Sequence, residues 1–125
     1  MRILLDTHML LWWLGNDPRL PDAIGTAMND GTNEVLVSSI SVAEISIKTS
    51  LGKLRAPHDL LAQLRAASMI SLPFTTDHAI ALRELPLHHR DPFDRMLVAQ
   101  ATTEGMTLAS RDASIALYDV DILKV

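Results

Sequence analysis

Short apolar runs alternate with helical stretches along the whole chain, and this alternation limits the fold more than any other feature. Ile3-Leu4-Leu5 is a continuous apolar run of the kind buried on both faces of a sheet. It stops at Asp6-Thr7, and residues 8–14 then read as a helix closed by Gly15 and Asn16. A second helix is predicted over about 21–29, and Val35-Leu36-Val37 is the next strand. Ser38-Ser39 leads into a helix over about 41–51, closed by Gly52. Residues 57–67 read as helix, 69–73 as a brief strand, and Thr76 or Asp77 caps a helix running to about Leu85. Asp91 before Pro92 is a good N-cap ahead of a residue tolerated in a first helical turn, and that helix ends near Gly105. Residues 107–109 form a strand, 110–112 a turn, 113–118 a short helix and 120–123 the last strand. Strands alternating with helices specify an α/β fold with a mainly parallel sheet flanked by helices.

A length of 125 residues suits one compact domain over 1–125, and 48% apolar residues is ample for a core and argues against disorder. No apolar run approaches the roughly 20 residues of a membrane span. The opening residues turn acidic too soon for a signal peptide, and with no cysteine there is no disulfide framework. The expected location is therefore cytoplasmic, with no membrane partner. A net charge of −4 does not advertise nucleic-acid binding, which would have to use a local basic patch.

Four carboxylates stand out. Asp94 falls at the third position of its helix and, at about 100° per residue, shares a face with Leu97, Val98 and Ala101. An ionised carboxylate leaning toward a core needs a cation or several donors. Asp6 directly follows the first strand, at the carboxyl end where open parallel sheets bind ligands, and reads equally as a helix cap. Asp112, just past a later strand, can likewise be a cap. Glu44 lies at the margin of a stripe formed by Ile40, Ala43, Ile47 and Leu51, with Lys48 four residues on as a possible partner. Ser41, Ser46 and Ser50 take the directions expected to be exposed. Four anions gather near one crevice only with a cation present or with protons bound, and Mg²⁺ or Mn²⁺ suits oxygen ligands. The histidines do not form a zinc pattern: His88, His89, His58 and His78 are expected to face solvent, while His8 lies close to Asp6.

The motifs resemble those of PIN-domain ribonucleases, specifically VapC-type toxins. The resemblance rests on Leu4-Leu5-Asp6-Thr7-His8, on Ser41 to Lys48 with Gly52-Lys53-Leu54, on His89-Arg90-Asp91-Pro92-Phe93-Asp94-Arg95, and on Thr107-Leu108-Ala109-Ser110-Arg111-Asp112. It covers nearly the whole chain in the family's order and implies a PIN-like three-layer sandwich. It also implies that Asp6, Glu44 and Asp94 are the three family acids and Asp112 the more variable fourth. Asp6 and Asp94 would hold the principal ion, with Glu44 and Asp112 acting through water or on a second ion. The implied activity is Mg²⁺- or Mn²⁺-dependent cleavage of RNA, leaving a 5′-phosphate and a 3′-hydroxyl. A homodimer and a VapB-like antitoxin are the implied partners. Where the family often has Asp-Ala, this chain has Asp94-Arg95.

An acidic crevice repels RNA, so neighbouring cations must compensate. Lys48, Arg90, Arg95 and Arg111 flank the acidic motifs and are the expected contacts to RNA or antitoxin, with Lys53 and Arg55 nearby. Trp12 and Trp13 sit on a helix apolar all round, which serves a second helical layer or a partner surface. Two other readings share the sheet and the acids. A receiver-like phospho-Asp module calls for paired acids after the first strand and a Lys near the crevice after the last. Here Thr7 follows Asp6, and Lys124 stands at the extreme C-terminus. The other is a PIN fold that only binds, against which the intact set of acids speaks.

Overall fold

The computed structural model describes residues 1–123; Lys124, weighed above for the receiver-like reading, lies outside them. Four strands form one parallel sheet: β1 (Arg2–Leu5), β2 (Glu34–Ser38), β3 (Ile70–Leu72) and β4 (Thr107–Ala109), in the order β3-β2-β1-β4. Leu4 is in register with Leu36 on one side and Leu108 on the other. The helices are α1 (Thr7–Leu14), α2 (Asp22–Asn29), α3 (Ser39–Ser50), α4 (Leu60–Ala66), α5 (Thr76–Ala81) and α6 (Pro92–Glu104). None is long and apolar enough to cross a membrane among the described residues.

Strand side chains alternate between faces, so the apolar runs supply two cores. Leu4, Leu36 and Leu108 pack with Leu97, Val98 and Ala101 of α6. Ile3, Leu5, Val37 and Ala109 pack on the other face with Met9 and Leu10 of α1, Ile24 of α2 and Ile45 of α3. Each fully buried leucine or isoleucine contributes about 1.5–3 kcal/mol, which is why these short runs form a sheet without help from long strands. The order places β2 and β4 beside β1, whereas the receiver-type order places the third strand there.

Several expected elements differ in detail. The last strand reduces to one parallel bridge from Ile122 to Leu108, flanked by hydrogen bonds to Asp121 and Leu123. The helix expected over 113–118 is a single 3₁₀ turn, Ile115–Leu117. Thr75 caps α5, and His78 completes a capping box by accepting from the Thr75 N–H at 3.0 Å. After Ala81 the helix tightens into a 3₁₀ turn, Leu82–Glu84. Helix α6 ends where expected because Gly105 takes a left-handed φ of 64° and returns its N–H to α6 carbonyls.

Helix α3 is rotated relative to the expected stripe. Its buried residues are Ser41, Glu44 and Ile45, while Ile47 and Leu51 are 47% and 62% exposed. The reason is tertiary: the helix packs against α1 and α6, and Thr7 at the start of α1 donates to the buried Ser41 hydroxyl at 3.1 Å. A polar seam between helix starts, not an apolar stripe, decides which face turns inward. Ser41 is therefore buried where exposure was expected.

Candidate active site

The parallel sheet sends the carboxyl ends of β1, β2 and β4 to one edge, and the candidate acids collect there. Asp6 follows β1 and caps α1, its Oδ1 accepting from the Met9 N–H at 2.8 Å. The cap reading of Asp6 holds, and the same residue stands at the carboxyl edge of the sheet. Asp6 is only 3% exposed, and that burial pushes its carboxyl above its usual range despite hydrogen bonds from Met9 and Ser110.

Asp91 caps α6 as expected, accepting from Phe93 N–H at 2.9 Å and Asp94 N–H at 3.4 Å. That cap turns Asp94 inward, leaving its side chain 16% exposed. Its carboxyl is pushed up to about 6, first by burial, then by the charges of Asp91 and Asp6, with Glu44 adding and His89 opposing. Asp112 differs. Burial works against its charge, but N–H groups of Ser114 (2.7 Å) and Ile115 (3.3 Å) and the His89 ring outweigh it and hold the carboxyl below its usual range.

Glu44 reaches the same region from the second turn of α3 and is 4% exposed. Lys48, one helical turn on, donates to its Oε2. Its Oε1 is buried with no hydrogen-bond partner. An orphaned carboxylate oxygen is among the most expensive groups to bury. With three further carboxylates acting on the same space, it gives the site a deficit of positive charge. The donor set is all oxygen, so the residues suit a hard divalent cation, with Asp6, Glu44, Asp94 and Asp112 available to hold it.

His89 was expected to face solvent and instead joins the site. Its Nε2 lies 3.0 Å from Asp94 Oδ2 and 3.1 Å from Asp112 Oδ2, and the three donor atoms form one compact cluster. Its Nδ1 accepts from the Asp91 N–H at 3.2 Å, so the proton sits on Nε2 and points between the two carboxylates. A ring committed on both nitrogens has no lone pair free for a metal. His89 is therefore a strut between two acids rather than a ligand. The signal was present in the sequence: a ring two residues before an N-cap aspartate can reach the N–H of that cap. His78 also departs from expectation. It is 1% exposed, and its ring meets Thr75 N–H, Glu104 Oε1 at 2.8 Å and the amide of Gln100. His58 and His88 are exposed as expected, and the edge of His88 packs on Tyr118.

The expected cations divide. Lys48 touches the site through Glu44, Arg111 borders it, and Arg90 is exposed beside Asp91. Arg95 is turned away. Its guanidinium donates to the carbonyls of Pro86 (3.0 Å), Leu82 (3.4 Å) and Leu85 (3.5 Å) and to Tyr118 Oη (3.1 Å). It fastens the 82–86 segment to α6, and that structural use replaces the expected contact to RNA or antitoxin. A small hollow of about 120 Å³ holds Asp6, Asp112 and Arg111, and a cavity of about 410 Å³ opens beyond Glu44 and Lys48. His8 and Trp12 line both.

Known proteins resemble this chain in sequence and in fold. Ribonuclease VapC22 of Mycobacterium tuberculosis is 27% identical over 113 residues, covering 88% of this chain and 86% of the relative. In fold, the chain resembles the crystal structure of VapBC2 from Rickettsia felis bound to a promoter DNA fragment, with a TM-score of 0.72 at 16% identity, covering 99% and 98% of the two chains. It also resembles DNA-bound VapBC from Salmonella typhimurium, with a TM-score of 0.73 at 19% identity, covering 99% and 97%. The family model of the PIN domain matches residues 3–122, nearly the whole chain. With the strand order already set against a receiver module, the chain belongs to the PIN domain family.

Proposed function

We propose that this protein is a Mg²⁺- or Mn²⁺-dependent endoribonuclease, a single PIN-like domain over 1–125 acting as the toxin of a VapBC-type toxin–antitoxin pair. The observation that carries the reading is the buried, unpartnered Oε1 of Glu44 beside Asp6, Asp94 and Asp112 at the carboxyl edge of a parallel sheet. The similarity to ribonuclease VapC22 supports RNA as the substrate, and the fold shared with VapBC complexes supports a VapB-like antitoxin as partner, while a homodimer follows from the family resemblance alone.

Each acid is prepared by its own neighbours. The α1 cap fixes Asp6, the His89 strut spaces Asp94 from Asp112, and Lys48 holds one oxygen of Glu44 and leaves the other without a partner. A bound Mg²⁺ or Mn²⁺ supplies a nucleophilic water at neutral pH and positive charge against the phosphoryl oxygens. No side-chain nucleophile is called for, and the hydroxyls at hand are occupied. Thr7 donates to Ser41, and Ser110 accepts from the Asp112 N–H at 3.1 Å. In-line attack by water on phosphorus breaks the bond to the 3′ oxygen and leaves a 5′-phosphate and a 3′-hydroxyl.

The test is cleavage of RNA by the purified protein with Mg²⁺ or Mn²⁺. Activity abolished by EDTA and lost in Asp94→Asn with the fold retained is the expected result. Cleavage at the wild-type rate by that variant would reduce the carboxylate to a helix-terminal group and sink the proposal.

A further inference from the structure

The cavity of about 410 Å³ beyond Glu44 has a chemistry the acidic site does not explain. Four cations, Arg19, Lys48, Lys53 and Arg55, line it against two carboxylates, in a chain whose net charge is −4. Lys48 is paired with Glu44 and Arg19 with Asp17, which leaves Lys53 and Arg55 as the net positive charge. Neither forms an ion pair among the described residues, and both are exposed. Their direction is built in. Gly52 takes a φ of 70°, the Lys53 N–H returns to the Lys48 carbonyl at 2.9 Å, and Leu54 packs into the core between them.

The same cavity holds a flat stacking platform. The Arg19 guanidinium lies 5.4 Å over the Trp12 ring and is held by both Asp17 oxygens, Nε to Oδ1 at 3.1 Å and Nη2 to Oδ2 at 2.7 Å. The Arg19 side chain is still 68% exposed, so its outer face is open. Guanidinium planes and aromatic rings are the surfaces on which unpaired RNA bases stack. Two unpaired cations, an Arg–Trp stack and the Glu44 carboxylate line one cavity, a combination that matches one nucleotide and its phosphate.

Resting on the nuclease reading above, we propose that this cavity is the subsite for the RNA nucleotide next to the scissile phosphate. Lys53 and Arg55 hold its phosphate, and the Arg19–Trp12 stack receives its base. Only an unpaired base presents its face to that stack, so the subsite takes single-stranded rather than duplex RNA.

The test is steady-state cleavage of a fluorescein-labelled single-stranded oligoribonucleotide pool with Mg²⁺, comparing wild type with Lys53→Ala, Arg55→Ala and Arg19→Ala. Each substitution is expected to raise KM about five- to tenfold with kcat nearly unchanged. Lys53→Ala and Arg55→Ala should also each flatten the slope of log(kcat/KM) against log salt by about 0.7. Within a set of oligomers carrying one abasic position, wild type should lose affinity for a single member, and Arg19→Ala should lose that discrimination. Wild-type cleavage with unchanged KM and salt slope in all three variants would overturn the subsite and leave the nuclease reading intact. The same result combined with escape from inhibition by a co-expressed antitoxin would reassign the cavity to a protein partner. No metal-dependent cleavage by the wild type would overturn the nuclease reading and this subsite with it.

Discussion

Replacing Asp94 with Asn should make the metal-free protein more stable while destroying its activity. The Asp94 carboxyl, ordinarily near 3.8, is pushed up to about 6 in the folded protein by burial and by the neighbouring acids. Between those values the folded state keeps a proton that the unfolded chain has released, so stability falls as pH rises through the interval. The contribution of Asp94 is fully favourable below the unfolded value, and above about pH 6 the ionised carboxylate is a standing cost. A tenfold change in acidity is worth about 1.4 kcal/mol, which puts that cost near 3 kcal/mol before screening. Residual solvent contact reduces it to about 1–2 kcal/mol.

Asn removes the charge, keeps an oxygen that can accept from His89, and should raise the melting temperature at neutral pH in EDTA by roughly 3–8 °C. The gain should shrink near about pH 5, where most of Asp94 is already protonated. Saturating Mg²⁺ should reverse the order. At a concentration of about 100 times Kd a ligand stabilises by about 2.7 kcal/mol, more than the Asn variant gained, and the variant has lost a ligand for the ion. Urea or thermal unfolding of both proteins, with EDTA and with Mg²⁺ at the two pH values, measures all of this. An Asn variant no more stable than wild type at neutral pH in EDTA would refute the claim that Asp94 is held as an uncompensated charge.

Removing the strut between Asp94 and Asp112 by His89→Ala should raise the Mg²⁺ concentration for half-maximal activity about 10- to 100-fold, while His89→Gln, which keeps an N–H donor, should recover part of it; a metal titration of the cleavage rate decides. Arg95→Ala should lower stability by about 1–2 kcal/mol in urea unfolding, because the carbonyls of the 82–86 segment lose their donor, and should leave the salt dependence of cleavage unchanged. Gln100→Leu should cost about 1–3 kcal/mol, since Ser38, Pro73 and His78 all spend hydrogen bonds on that buried amide, and thermal unfolding with activity measured alongside should show a stability loss larger than the activity loss.

The order of strands and helices was readable because continuous apolar runs and helix caps are local signals. Asp91 and Asp6 cap where their neighbours said they should, and Gly105 ends α6. What could not be read is which way a helix turns when no apolar stripe dominates. The candidate stripe of α3, from Ile40 to Leu51, was the wrong face. The decision came from Thr7 and Ser41, residues 34 apart in sequence whose hydrogen bond exists only once the chain has folded. The histidines failed for the same reason. The partners of His89 lie on β4's exit loop and on α6, and those of His78 on Gln100 and Glu104, none of which periodicity can bring together.

Helix α3 also bears on how an acidic site can serve an anionic substrate. As folded, one turn of α3 carries Glu44 to the carboxylates and Lys48 to their border, and the next brings Gly52 to reverse the chain so that Lys53 and Arg55 follow. The charge changes sign along a single helix. The carboxylates proposed to hold a cation are thereby kept within one helix length of the cations proposed to hold a phosphate.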